Sequence, residues 1–169
     1  SLYIIFAMFV MLGTTNAVNL TDGVDGLSTS VTTIIITCLV VIASKLGITE
    51  VIIFGSIVCG ANLAFLIFNL NPAKVFMGDT GSLLLGGIIA SISLYIKMPL
   101  LLLVIALIPV LETLSVILQV VYFKKTGHRM FKMAPLHHHF ELSGWRENKV
   151  VSVFSIITLL LCIVGILIV

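Results

Sequence analysis

Long apolar runs separated by shorter polar stretches dominate this chain. The runs lie at 1–13, 28–44, 51–68, 82–96, 99–122 and 150–169. A helix needs about 20 apolar residues to span a bilayer, or about 17 at the short end. Because backbone polar groups must be paired in lipid, and no period-two alternation suggests a barrel, the runs predict helices. We expect an all-α, polytopic transmembrane helical bundle with about six spans.

One of these runs, 99–122, carries an internal proline and an acid. Pro109 predicts a kink or break in the helix, and Glu112 follows about one turn later. An acid within lipid costs about 2.5–3.5 kcal/mol on insertion scales. We expect Glu112 either to face a cavity or a protein partner, or to make a structural hydrogen bond that caps the break.

Composition places the helices in a membrane. The 169 residues are 60% hydrophobic and only 9% charged, and the mean hydropathy is +1.28. A soluble core of this length could bury only part of that apolar surface. The three cysteines lie in apolar runs and are interpreted as small hydrophobic residues. The chain is predicted to be one transmembrane domain, residues 1–169.

Charge is distributed unevenly between the two sides of the predicted bundle. Seven of the nine Lys and Arg residues fall in the connections 14–27, 69–81 and 123–149. The positive-inside rule assigns these connections to the cytoplasm. All three Asp residues and all four His residues lie on the same side. Because loops on a rigid scaffold carry function, the chemistry is predicted at the cytoplasmic membrane face.

The first segment (residues 15–30) carries amide and carboxylate side chains at a spacing of three: Asn16, Asn19, Asp22 and Asp25. On a helix this spacing keeps side chains roughly on one face, although Gly23 and Gly26 favour a turn or a helix end. Ordinary turn and cap chemistry explains an isolated pattern of this kind. Two Asn and two Asp beside a membrane favour a polar ligand site.

The second segment (residues 68–87) places Asp79 among glycines that let a ligand approach the backbone. Ser82 opens an apolar helix, whose N-terminus attracts anions. Mg²⁺ prefers one or two carboxylates together with phosphate oxygens and water. Asp79 is therefore a candidate metal ligand beside a phosphate site, and an Asp N-cap is the simpler alternative.

The third segment (residues 124–148) is basic and contains the triplet His137, His138 and His139. Contact with anionic lipid headgroups is an alternative explanation for its Lys and Arg residues. Zinc is disfavoured because no further ligand spacing accompanies the three adjacent histidines. Histidines that donate toward phosphate oxygens fit better. We expect all three segments to converge on one site.

Together the motifs "NAVNLTDGVDGL", "NPAKVFMGDTGSLLLGG" and "MAPLHHHFE" resemble the cytoplasmic loops of the phospho-N-acetylmuramoyl-pentapeptide-transferases. These belong to the polyprenyl-phosphate N-acetylhexosamine-1-phosphate transferases. The resemblance implies Mg²⁺-dependent transfer of phospho-N-acetylmuramoyl-pentapeptide from uridine diphosphate to undecaprenyl phosphate, giving lipid I and uridine monophosphate. It implies a bacterial inner membrane enzyme with its active site on the cytoplasmic face. It also suggests a homodimer, and no nucleic acid is expected as a partner.

The resemblance also implies roles for individual residues. Asp79 matches the metal-binding aspartate and, with His138 and His139, is assigned to catalysis. The matched substrate-binding positions are Asn16, Asn19, Asp22, Gly23, Asp25, Asn69, Phe76, Gln119 and His137. Among them Phe76 matches the aromatic residue that stacks on uracil, and His137 matches the phosphate and sugar side.

One family motif does not occur in this sequence. The family has two adjacent aspartates early in the chain, followed by a lysine, whereas no two aspartates are adjacent here. We expect that motif in an N-terminal portion preceding Ser1, and we expect residues 1–169 alone to be inactive.

Three rival functions remain open. An enzyme that transfers N-acetylglucosamine-1-phosphate to a polyprenyl phosphate is the nearest, and the histidine triplet argues against it. A membrane transporter would need acids along a path through the bilayer, but Glu112 is the only acid within a predicted span. A non-catalytic subunit is the third.

Overall fold

The computed structural model describes residues 2–169, which form α-helices and one 3₁₀ turn, with no strand in that range. The elements are α1 (Leu2–Thr21), α2 (Leu27–Lys45), α3 (Thr49–Asn69), α4 (Gly78–Tyr95), the 3₁₀ turn Pro99–Leu101, α5 (Leu102–Ile105), α6 (Leu107–Thr126), α7 (Leu136–Glu141) and α8 (Glu147–Ile168). The predicted all-α architecture is confirmed.

Five of the described helices are long and apolar enough to cross a membrane: α1, α2, α3, α6 and α8. The sixth expected span, 82–96, lies in α4, whose 18 residues include a polar first turn. α4 packs along α1 as part of the same bundle. A polytopic helical bundle is thus confirmed. Five helices are candidate spans by length and composition, and α4 is less apolar than these because its first turn is polar.

The centre of the bundle is α2. Twelve of its nineteen residues are buried, among them Leu27, Val31, Ile35, Leu39 and Ile42. Because these twelve extend beyond a single stripe of residues three or four apart, α2 is covered by neighbouring helices on more than one face. The main neighbours of α2 are α3 and α8, while α1 packs mainly on α4.

A close helix crossing fixes the position of α1 against α4. A Cβ added to Gly86 would lie 2.7 Å from Thr15 Cα and 2.9 Å from Thr14 O. Only a glycine allows the two backbones to approach this closely. The crossing lies one to two turns from Asn19 on α1 and from Ser82 on α4, so it sets how these polar residues meet.

The predicted break near Pro109 is present, and it falls three residues before the proline. α5 ends at Ile105, and Ala106 has φ −107° and ψ 27°, outside the helical range. A proline ring clashes with the carbonyl four residues earlier, which is Ile105 here. Pro109 itself lies in the first turn of α6, where a missing N–H removes no intrahelical bond.

The two ends of the bundle are built differently. At one end, which we call the polar end, longer connections at 22–26, 70–77 and 127–146 meet. At the other, which we call the opposite end, short turns at 46–48 and 96–98 join the helices. After α6 the chain turns back along that helix, because Gln119 bonds to the backbone of Met130 and Phe131, and Glu112 bonds to His137.

Candidate active site

The first and second segments are joined at the N-terminus of α4. Asn19 Nδ2 donates to Asp79 Oδ1 at 3.0 Å and to Ser82 Oγ at 2.9 Å. Asn19 is on the last turn of α1 and Asp79 on the first turn of α4. Asp79 is exposed, and a carboxylate at a helix N-terminus is favoured by the dipole. The result is an oriented, accessible carboxylate.

Asp22 adds a second carboxyl group next to this one. Burial, and secondly the negative charge of Asp79, raise the pKa of Asp22 from its ordinary value of 3.8 to about 6. The negative charge of Asp79 disfavours ionisation of Asp22, so a cation or a proton at this place is stabilising.

Phe76 stands beside the same helix start. Its side chain is 74% exposed, and it lies in the connection that leads into α4. An open aromatic face next to polar groups is available to stack on a planar ligand. The position fits the role that the resemblance implies.

Asn71 links all three segments through one amide. Its Nδ2 donates to Glu147 Oε2 at 2.6 Å and to Asp25 Oδ2 at 3.3 Å. The same Asp25 oxygen accepts the Ala73 N–H at 2.9 Å. Asp25 therefore fastens the turn after Asn71 to the first segment, and Glu147 fastens it to the start of α8. Neither Asn71 nor Glu147 was singled out from the sequence.

Asn69 and Gln119, expected to line the cleft, mainly hold backbone. Asn69 is buried; its Oδ1 accepts from Thr29 Oγ1 at 2.6 Å and its Nδ2 donates to Val75 O at 3.0 Å. Gln119 Oε1 accepts the N–H groups of Met130 and Phe131 at 3.0 and 2.9 Å. Both amides shape the polar end through the segments that they fix.

His138 and His139 are held in opposite tautomers. His138 Nδ1 lies 2.7 Å from Glu141 Oε2, so an ionised carboxylate places the proton on that nitrogen. His139 Nδ1 accepts the N–H of Lys132 at 3.1 Å, and a backbone N–H can only donate. In the neutral rings, Nε2 of His138 is an acceptor and Nε2 of His139 is a donor.

His137 differs from its two neighbours in being 1% exposed. Its backbone N–H donates to both carboxylate oxygens of Glu112, at 3.3 and 3.4 Å. Its Nδ1 lies 3.2 Å from Glu112 Oε2, but the approach is not that of a hydrogen bond. A Cβ at Gly23 would overlap its Nε2. The expected protein partner of Glu112 is thus the start of α7, and its carboxylate does not cap the break.

The three segments therefore touch pairwise: Asn19 to Asp79, Gly23 to His137, and Asn71 to Glu147. Asn16 stays apart, because its amide bonds to Leu12 O on its own helix. Within residues 2–169 no group of three or more His, Cys, Asp or Glu side chains is arranged to hold a metal ion. Any ion here would need ligands from a substrate or water.

Fold and site together define a multi-pass helical membrane protein with an acid- and histidine-containing polar site at one end of its bundle. Residues 1–97 match the family described as Glycosyl transferase family 4. Because more than half of the sequence matches, the chain belongs to this family.

Curated relatives extend the likeness over almost the whole chain. It is 60% identical over 163 residues to a phospho-N-acetylmuramoyl-pentapeptide-transferase of Clostridium perfringens, covering 96% of this chain and 51% of the relative. Proteins of the same name from Clostridium kluyveri and Clostridium botulinum are 56% and 57% identical, with 98% and 96% of this chain covered and 52% and 50% of those proteins. The chain spans about half the length of these relatives.

Proposed function

We propose that the full-length protein transfers phospho-N-acetylmuramoyl-pentapeptide from uridine diphosphate to undecaprenyl phosphate, releasing uridine monophosphate and forming lipid I. The observation that carries the proposal is the mutual contact of the three polar segments around Asp79 and the histidines. The relatives named above supply the reaction type. In this proposal residues 1–169 belong to a single transmembrane catalytic domain.

The reaction replaces the diphosphate linkage to uridine by a diphosphate linkage to the lipid. A phosphate oxygen of the lipid forms a bond to the sugar-bearing phosphorus, and the bond from that phosphorus to uridine monophosphate breaks. Whether one step or two, such a displacement needs positioning and charge neutralisation. One reactant is confined to the bilayer surface and the other is dissolved, so a polar end at the cytoplasmic face of the bacterial inner membrane allows both to meet.

Asp79, with Asp22 beside it, fits a magnesium site that is completed by substrate. The donor set offers two carboxyl groups. Burial, and secondly the charge of Asp79, raise the pKa of Asp22 to about 6, and a divalent ion would favour the ionised form. Mg²⁺ needs only one or two protein carboxylates when phosphate oxygens and water complete its shell. When bound, the ion neutralises charge on the diphosphate. Asp79 is the proposed ligand.

The remaining expected residues divide between nucleotide and phosphate. Phe76 is proposed to offer its open face to uracil. Asp22, Gly23 and Asp25 are proposed to bind the nucleoside. The donating Nε2 of His139 is proposed to bond a phosphate oxygen, and the accepting Nε2 of His138 is proposed to take up a proton at the phosphate side. Asn16, Asn19, Asn69 and Gln119 are proposed to shape or line the cleft. A homodimer remains a prediction from the resemblance.

A donor-comparison assay tests the proposal. The full-length protein, purified in detergent, is incubated with undecaprenyl phosphate, Mg²⁺ and either UDP-N-acetylmuramoyl-pentapeptide or UDP-N-acetylglucosamine. We expect lipid-linked product and uridine monophosphate with the first donor only, and no product after chelation of Mg²⁺. Turnover of the glucosamine donor alone would assign the protein to the sister activity, and turnover of neither would contradict the proposal.

A further inference from the structure

The most unusual buried group outside the exposed part of the site is the pair formed by Glu112 and His137. Glu112 is 0% exposed and His137 is 1% exposed. An acid is rarely this buried unless its oxygens are occupied. Here they accept the His137 N–H, which lies in the first turn of α7 and has no partner within that helix. The carboxylate thus anchors α7 to α6.

The imidazole of His137 fills the space directly beneath the first segment. Both of its ring nitrogens lack a hydrogen-bond partner among the described residues, so the ring contributes here through its volume. On its far side the ring contacts Gly23 so closely that a Cβ there would overlap Nε2 and would lie 2.8 Å from Cε1. Gly23 is a position where only the absence of a side chain permits the contact.

We infer that Glu112 and His137 form a buried support under Gly23 that positions the turn carrying Asp22 and Asp25 for nucleotide binding. This rests on the proposed function. The support runs from α6 through α7 to the turn between α1 and α2. His137 is a positioning residue in this inference and does not touch substrate, in contrast to the phosphate-side role that the resemblance implies for it.

Substitutions at Glu112 separate this support from a charge effect. Glu112→Gln keeps an oxygen that can accept the His137 N–H, whereas Glu112→Leu keeps the volume and removes the acceptor. In the full-length protein we expect the Gln variant to bind UDP within about threefold of the parent. We expect the Leu variant to raise the Kd for UDP and the KM for the nucleotide donor about tenfold, with kcat changed much less.

The contact with Gly23 gives a second, independent test. Gly23→Ala should weaken UDP binding by about tenfold or more, because the new methyl group displaces the turn or the ring. Removing the ring by His137→Ala should restore part of the lost UDP affinity in the double variant, although His137→Ala alone also weakens UDP binding. Such non-additivity is expected only for groups in contact. Gly60→Ala, in open space on α3, is the matched control and should bind UDP normally.

The outcomes distinguish a failure of the proposed function from a failure of this inference. If the parent protein turns over no donor, the proposed function fails, whereas UDP affinity still reports on the support. If Gly23→Ala binds UDP as the parent does, or if Glu112→Gln raises the Kd for UDP as much as Glu112→Leu does, the inference is overturned. A large fall in kcat with unchanged KM in His137→Ala would also overturn it, because that result places His137 at the reacting atoms. Thermal melting and gel filtration establish that each variant is folded.

Discussion

The two ends of the bundle are closed by different kinds of contact. At the opposite end, backbone bonds close the turns, such as Ile48 N to Ala43 O at 2.9 Å and Met98 N to Ser93 O at 2.9 Å, and Lys45 Nζ donates to the backbone oxygen of Ile166 at 2.7 Å. At the polar end, side chains join segments that are far apart, as in Asn19 to Asp79 across 60 residues and Asn71 to Glu147 across 76 residues. Backbone bonds form with most side-chain types, whereas the contacts at the polar end require particular Asn, Asp and Glu side chains. The side chains proposed for function are concentrated at the polar end.

This difference predicts that substitutions at the polar end alter activity more than stability, and that those at the opposite end do the reverse. The largest effect is expected at Asp79. Asp79→Asn keeps the shape and the bond from Asn19 but removes the charge proposed to hold Mg²⁺. We expect kcat to fall about a thousandfold, as for other losses of transition-state charge stabilisation, with an unchanged melting temperature. Near-normal turnover would refute the metal role.

The next largest effect is expected at Glu141, which orients His138. Glu141→Leu removes the acceptor that keeps the proton on Nδ1, and loss of such an orienting partner typically lowers activity about 10- to 100-fold. Glu141→Gln, whose amide oxygen can still accept, should fall between that variant and the parent. Steady-state kinetics on both variants measure this, and equal activity in all three proteins would remove Glu141 from the site.

Phe76 should matter for affinity more than for rate. Phe76→Ala removes the exposed face proposed to stack on uracil, and base stacking on an aromatic ring is worth about 1–3 kcal/mol. We expect the Kd for UDP to rise about tenfold, which calorimetry can measure. Phe76→Tyr is the matched control, since it keeps the stacking face. An unchanged Kd for the alanine variant would separate Phe76 from the nucleotide.

Asp22 should make stability depend on pH. Its pKa is about 6 in the folded protein and 3.8 ordinarily, so between these values the folded state holds a proton that the unfolded state has lost. Stability therefore falls as pH rises from about 4 to about 6 and then levels off. Allowing for partial exposure, Asp22→Asn should gain about 1 kcal/mol at pH 7 and nothing at pH 4. Melting curves in chelator at both pH values decide this.

The smallest expected effect concerns the opposite end, where Gly47 has φ +70°. Gly47→Ala meets open space but must adopt a left-handed conformation, at a cost of about 1 kcal/mol. We expect a lower melting temperature with kcat and KM unchanged. Gly60→Ala should change neither property. Loss of activity in Gly47→Ala without loss of stability would break the distinction between the two ends.

Most of the fold, and the meeting of the three polar segments, could be predicted from the sequence. Apolar runs specify helices through simple length and pairing rules, and Asp79 stood out because of its local glycines and the helix that follows. The count of spans depends most on α4, because its polar first turn makes it less apolar than the five candidate spans. The support beneath Gly23 was not predictable, since Glu112 and His137 are 25 residues apart and their meeting depends on how α6 and the chain after it pack.

The position of Asn71 before Pro72 affects the chemical stability of its side-chain amide. Its amide lies between the carboxylates of Asp25 and Glu147, so spontaneous deamidation would leave three acids at one point and drive the segments apart. The usual ageing route forms a cyclic imide by attack of the next residue's backbone nitrogen. That residue is Pro72, which has no N–H to attack with. The dipeptide therefore closes this route of deamidation at the junction during the lifetime of the protein in its membrane.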